Sequence, residues 1–187
     1  MECGTGCEHN NPVHDLGNPE CRMVWDKETG WGIASLQEWK AGDIVLEYRG
    51  DIITEKQKNA KLERIGPAAP VYFQEFANCH PNYCVDAEHY GTIARFVNHR
   101  CGEPNLRFET WWTDGTPRCV LEAQTDIHPG DIYTVAYHMI QDRHHHSKCA
   151  CGHIACRGYM GREVPATTIL KLRQAKALAN SPRRKKQ

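Results

Sequence analysis

RFVNHRCGEPN, residues Arg95 to Asn105, is the stretch on which the reading of the whole chain turns. It sets an Asn-His pair, a cysteine with metal-ligand potential and a Pro-Asn turn close together, a density of polar and soft groups that an ordinary strand end does not need. By itself the stretch reads as a loop, with Asn98 and His99 satisfying backbone groups and Cys101 a small buried apolar side chain. Its neighbours along the chain change that reading.

The length, 187 residues, is enough for a real core and favours one domain with appendages. No apolar run approaches the roughly 18 residues of a membrane-crossing helix, and the N-terminus lacks a basic-then-apolar signal pattern. A soluble, intracellular protein that does not engage a membrane is therefore expected. Charge is balanced, 23 basic residues against 23 acidic, yet Arg183-Arg184-Lys185-Lys186 form a basic cluster behind Pro182. Such an end reads either as a solvated tail or as a nuclear-targeting or nucleic-acid contact.

Ten cysteines decide more. With no secretory signal and a chain long enough to build its own core, zinc is a better reading than a disulfide framework. Cys149, Cys151 and Cys156 stand as C-x-C-x4-C around Gly152, a compact chelate that calls for a fourth ligand. Cys79, Cys84, Cys101 and Cys119 are all candidates by arithmetic. Cys3, Cys7 and Cys21, with His9 or His14, form a second candidate zinc set, or else unpaired thiols or the end of a larger cluster.

The first thirty residues, rich in Asn, Pro, Gly and Cys, carry no apolar period and read as irregular. Beyond Thr29, turn residues separate short β-branched runs at Asp43 to Glu47 and Asp51 to Thr54. Glu55 to Ile65 reads as a short surface helix after a Thr54 cap, stopped by Gly66-Pro67. Val71 to Phe76 and Tyr83 to Asp86 read as strands around a polar loop at Asn78 to Asn82. Leu106 to Trp112 and Arg118 to Ala123 flank Asp114-Gly115, a strong hairpin signal, and Asp131 to Tyr137 reads as a last strand opened by Pro129-Gly130. His144 to His146 read as a solvated linker, and Ala166 to Ala179 as a helix. Strands do not alternate with long helices, so the class is mostly β with short helices rather than a doubly wound sheet.

Five pieces in order resemble a SET-domain protein lysine methyltransferase: GWGI at Gly30 to Ile33, EYRG at Glu47 to Gly50, RFVNHRCGEPN, a last strand ending in Tyr137, and CACGHIACRGYMG at Cys149 to Gly161. The resemblance spans roughly residues 25 to 161. It implies small curved sheets around a pseudoknot, through which Arg95 to Asn105 passes, and a C-terminal post-SET zinc segment with Cys101 as the fourth ligand beside Cys149, Cys151 and Cys156. The division it suggests is a Cys-containing pre-SET-like segment at 1–28, the SET domain at 29–140, the post-SET zinc segment at 141–163, and a C-terminal helix with basic tail at 164–187.

The implied cofactor is S-adenosylmethionine. Thr29, Gly30 and Trp31 would line it, Asn98 would bind its amino-acid end, the backbone at His99 would meet the adenine, and Met160 would close over it. Tyr137 matches the tyrosine near the transferring methyl, Tyr72 a channel-lining tyrosine that also borders the cofactor, and Val135 the position that gates methyl number. The implied activity is methyl transfer to a lysine of a protein substrate, a histone tail (H3) or nucleosome, by a nuclear, monomeric protein. The alternative is a catalytically weak module serving as a zinc-stabilised chromatin-binding or scaffolding domain; a non-histone substrate is a third reading.

The chain departs from the family pattern in places. Val135 stands where an aromatic is usual and Ala136 where Asp is usual, so the space at Val135 allows di- or trimethylation. Arg100 replaces a small residue, and Gly102-Glu103 lengthens the turn before Pro104 by one residue.

Overall fold

The computed structural model describes residues 19–65, 70–76, 83–113, 115–137, 140–141, 148–156, 158–160 and 162–163. The readings placed on Cys3, Cys7, His9, His14, Gly66-Pro67, Asn78 to Asn82 with Cys79, Asp114, His144 to His146, Ala166 to Ala179 and the basic end lie outside them.

Strands dominate the described residues. β1 (Cys21–Asp26) and β2 (Gly30–Ser35) form an antiparallel ribbon. β3 (Ile44–Tyr48) leads to β4 (Asp51–Thr54), α1 (Glu55–Ile65), β5 (Phe73–Glu75) and β6 (Tyr83–Asp86). A 3-10 turn (Ile93–Phe96) precedes β7 (Asn98–His99), followed by β8 (Leu106–Thr113), β9 (Thr116–Ala123) and β10 (Thr134–Val135). Two short strands, β11 (Ile140–Gln141) and β12 (Arg162–Glu163), pair in parallel near the C-terminal end.

Two further sheets carry the middle of the chain, β3-β9-β8-β10-β7 and β4-β6-β5. In the five-stranded sheet β10 lies between β7 and β8 and runs parallel to both, with Thr134 opposite Asn98 and Val135 opposite His99 and Leu106. The chain from Asn98 to Leu106 therefore passes around a strand that comes nearly thirty residues later. That is the crossing that a pseudoknot requires.

Local chemistry explains the elements that the sequence shows well. At the head of α1 the Thr54 N–H donates to Gln57 Oε1 (2.9 Å) and the Gln57 N–H to Thr54 Oγ1 (3.3 Å), a reciprocal capping box. No α1 residue is buried. The helix is held to the three-stranded sheet through ion pairs of Lys58 with Glu75 and of Lys61 with Asp86 and Glu88. The β8–β9 hairpin closes with Thr113 opposite Thr116, two pairs beyond Trp111 opposite Arg118, the last pair within the strands read from the sequence.

Two expectations are corrected. Cys21 to Asp26 is a strand, not irregular chain, because all six of its residues find partners on β2. Trp25 and Trp31 face each other there edge to face, with ring centroids 5.3 Å apart, a cross-strand pair that stabilises a ribbon even where it is exposed. The segment Asp131 to Tyr137 is not one strand. Ile132 bridges to Ala34, the Tyr133 N–H donates to Ile33 O (2.8 Å), and only Thr134–Val135 joins the large sheet. The chain is handed from one partner to another within three residues.

The core gathers Ile33, Val45, Leu46, Val85, Leu106, Leu121, Ile127 and Val135 around Tyr133, which is fully buried. The Tyr133 hydroxyl accepts from Trp39 Nε1 (2.9 Å) and donates to Ser35 Oγ (3.0 Å), so its burial leaves no polar atom unsatisfied.

Candidate functional site

The stretch at Arg95 enters through the 3-10 turn, whose preceding Thr92 hydroxyl donates to Glu47 O (2.6 Å) and so ties the turn to β3. Glu47 is itself buried, and its carboxylate accepts from Arg118 Nη1 (3.1 and 3.3 Å) and Arg49 Nε (2.6 Å). From this anchor Val97, Asn98 and His99 reach Tyr137. The Tyr137 hydroxyl donates to Val97 O (2.6 Å), and the Tyr137 N–H donates to His99 Nδ1 (2.9 Å). The two rings lie 5.3 Å apart. Burial of the hydroxyl, and then the nearby Tyr72, push Tyr137 up to about 12, so it is a neutral phenol at ordinary pH.

Tyr72 packs on the same core, and its carbonyl accepts from the Tyr48 hydroxyl (2.9 Å) and the Ala87 N–H (3.0 Å). The Arg95 guanidinium lies 4.3 Å over the Tyr72 ring, and its Nη1 donates to Glu88 O (2.8 Å). The sequence reading missed this cation–π contact; its only trace there is Arg95 at the head of the stretch. Val135 is 1 % exposed and packs in the main core. Arg100 closes the longer turn on itself, donating from Nε to Gly102 O (3.0 Å), while its N–H donates to Val135 O (3.1 Å).

Asn98 and Gly32 meet. A Cβ built on Gly32 would stand 2.7 Å from Asn98 Nδ2, so the side-chain amide occupies space that only glycine leaves. Thr29 lies in the β1–β2 turn, where Asp26 Oδ1 accepts from its N–H (2.9 Å) and hydroxyl (3.2 Å). Gly30 begins β2, Trp31 beside it is half exposed, and Met160 is half-buried on the C-terminal segment.

The sulfurs of Cys101, Cys149, Cys151 and Cys156 all lie within 4.8 Å of one another. Cys101 Sγ is 3.6 Å from Cys149 Sγ and 3.7 Å from Cys156 Sγ, too far for disulfides. Four thiolates at ~2.3 Å from a tetrahedral zinc stand about 3.8 Å apart. The set therefore fits a structural zinc, and it resolves the arithmetic of the fourth ligand among the described candidates. Cys84 and Cys119 are buried in the core, where desolvation raises their thiols to about 11 and about 12. Cys151 behaves differently: although burial opposes ionisation, the Cys101 and His153 N–H groups and the neighbouring thiols bring it down to about 6.

His153, between Cys151 and Cys156, has no counterpart in the sequence reading. Its ring fills the space over Gly102, where a Cβ would stand 2.3 Å from Cε1. The adjoining Glu103 has φ +49, and among the described residues it is the non-glycine with positive φ. The turn at Gly102-Glu103 thus seats the loop that carries Cys151 and Cys156. Its signal in the sequence was the Gly-Glu pair itself.

The family model for the SET domain matches residues 30–138. The chain is 28% identical over 161 residues to a histone-lysine N-methyltransferase of Arabidopsis thaliana, ASHH1, covering 85% of this chain and 32% of that protein. It is 28% identical over 185 residues to histone-lysine N-methyltransferase SUV39H1-A of Danio rerio, covering 84% and 45%. The methyltransferase domain of the human histone-lysine N-methyltransferase SETMAR shares the fold, with a TM-score of 0.68 at 22% identity over 76% of this chain and 58% of that one. The chain spans about half the length, or less, of the curated relatives it matches.

Proposed function

This chain belongs to the SET-domain family, and on that premise we propose that it is a protein lysine methyltransferase that moves a methyl group from S-adenosylmethionine to a lysine side chain, on a histone tail in the nucleus. The observation that carries the reading is the convergence on one short segment. Residues 97–101 hold the Tyr137 phenol and backbone, set the Asn98 amide against Gly32, and bring Cys101 to the thiol cluster.

S-adenosylmethionine, when bound, supplies an electrophilic methyl on a sulfonium. The chain would hold it with the Asn98 amide and the backbone of Gly30, Trp31, Gly32 and His99, with Thr29, Tyr72 and Met160 at its borders. The Gly32 surface and the Asn98 amide meet as a polar cradle without a Cβ. An apolar channel walled by Tyr72 and Tyr137 would take the lysine. Desolvation there favours its neutral amine, the form that can attack. Tyr137, a phenol that stays protonated to about pH 12, is suited to orienting groups rather than to removing a proton. Alignment of donor and acceptor can supply ~7 kcal/mol or more.

Zinc on Cys101, Cys149, Cys151 and Cys156 would order the C-terminal segment beside this site, since so short an irregular piece cannot bury enough apolar area alone. Val135, smaller than the aromatic usual at this position in the family, is the ground for expecting a second and third methyl. The protein acts as a monomer, and its basic end adds a nucleic-acid contact.

The test incubates the protein with labelled S-adenosylmethionine and core histones, nucleosomes or total extract, beside Tyr137→Phe. Transfer to histone that falls about a hundredfold in the variant is expected. No transfer above the variant would favour a binding module instead. Mass spectrometry should find di- or trimethyl product, and monomethyl alone would remove the Val135 argument.

A further inference from the structure

His99 touches both halves of the site through opposite edges of one ring. Its Nδ1 accepts from the Tyr137 N–H at 2.9 Å. A nitrogen that accepts carries no proton, so in the neutral ring the proton is on Nε2. That nitrogen lies 3.3 Å from Cys101 Sγ, within reach of an N–H···S bond to a zinc-bound thiolate. The backbone adds rigidity from both sides, because His99 is paired with Val135 and the Arg100 N–H donates to Val135 O (3.1 Å).

We infer that the His99 imidazole is a positioning residue that couples the thiol cluster to Tyr137: the metal-held sulfur of Cys101 fixes the ring through Nε2–H, and the ring fixes the Tyr137 backbone through Nδ1. The inference rests on the zinc set proposed above but not on methyl transfer. Ligand sulfurs accepting hydrogen bonds from neighbouring groups are a common outer-sphere device. Here the donor's second nitrogen holds the very residue whose hydroxyl is buried against Val97. With the metal gone, the Cys101 sulfur loses its fixed place, the ring loosens, and the Tyr137 N–H opens to solvent more often. The fold itself remains, because much of the hydrophobic core, Val45, Leu46, Val85 and Leu121 among it, lies on β3, β6 and β9.

The experiment uses the full 187-residue chain, zinc-loaded and after chelation, with nitrogen NMR of the His99 ring and hydrogen exchange at single amides. In the zinc form the proton should sit on His99 Nε2. Chelation should speed exchange of the Tyr137 amide by about tenfold, the effect of losing the hold on one buried hydrogen bond, while the Val120 and Leu121 amides stay as they were. His99→Asn places an amide oxygen near the position of Nδ1 but reaches no sulfur, so Tyr137 exchange in that variant should be the same with and without zinc. A proton on Nδ1, a Tyr137 amide indifferent to zinc in the wild type, or an undiminished zinc effect in His99→Asn overturns the coupling. Should His99→Asn not fold, the ring nitrogens and the wild-type exchange decide the matter. Neither readout uses turnover, so a protein that fails to methylate still tests the coupling. A protein whose four thiols hold no zinc overturns both the coupling and the zinc set.

Discussion

Replacing Gly32 with Ala perturbs the proposed cofactor cradle at one atom. The new Cβ would stand 2.7 Å from Asn98 Nδ2, 3.8 Å from Asn98 Cγ and 3.7 Å from Val24 Cγ2. Only the first contact is too close, by roughly 0.8 Å against an ordinary separation of about 3.5 Å. The Asn98 backbone cannot give, since it is paired with Thr134 of β10, so its amide must swing. The fold should lose only about 1 kcal/mol, at the lower end of overpacking costs. Binding should suffer more. An amide turned away from a charged cofactor end forfeits about 1.5–3 kcal/mol, which at 1.4 kcal/mol per decade is roughly a ten- to hundredfold rise in Kd for S-adenosylmethionine. Calorimetric titration measures the Kd, and urea unfolding measures the stability loss. Asn98→Ala should weaken binding similarly, and the double variant should be little worse than either, because both remove one interaction. A Gly32→Ala protein that binds within about twofold of wild type, or effects that add in full, would refute the placement of Asn98 at the cofactor.

Three more outcomes are expected. Cys84 and Cys119 are held protonated to about 11 and about 12, above the ordinary thiol value of 9.0. A raised folded pKa gives stability that is whole below pH 9 and is lost as pH climbs toward 12, so the urea midpoint should be level up to about pH 8.5 and then fall, less steeply in Cys119→Val. Glu47→Gln leaves Arg118 and Arg49 facing a neutral amide and should cost about 2–3 kcal/mol, below the full figure for a buried pair because Arg49 is half exposed, read as a lower denaturant midpoint with unchanged slope. Gly102→Ala drives a Cβ into the His153 ring and should hasten zinc transfer to a chelator by roughly tenfold; an unchanged rate would show that the loop is seated elsewhere.

Local signals made much of the chain legible. The Thr54 cap and the Gly66-Pro67 stop placed a helix over Glu55 to Ile65, the bounds that α1 has. The Asp-Gly turn located the β8–β9 hairpin, and the spacing of Cys149, Cys151 and Cys156 marked a chelate. β1 was not legible, because Met23 and Trp25 remain exposed and the strand owes its form to six partners on β2 rather than to a buried face. The division of Asp131 to Tyr137 between β2 and the large sheet was hidden for a related reason: an extended run looks the same whichever strand receives its hydrogen bonds.

The candidate site divides along the same line. Residue types and spacing by themselves determined that three C-terminal thiols needed a fourth and that Asn98, His99 and Cys101 stood together. Four candidate fourth ligands were equal by spacing and the family resemblance pointed to Cys101; the tertiary structure sets Cys101 3.6 Å from Cys149 and Cys84 and Cys119 in the core. Likewise the seat of His153 over Gly102, Arg95 over Tyr72 and the His99 contact to Tyr137 join residues far apart in the chain. Short-range chemistry is set by covalent spacing and can be read along the chain. Which distant atoms meet depends on the order of strands in the sheet, and here β10 lies between β7 and β8.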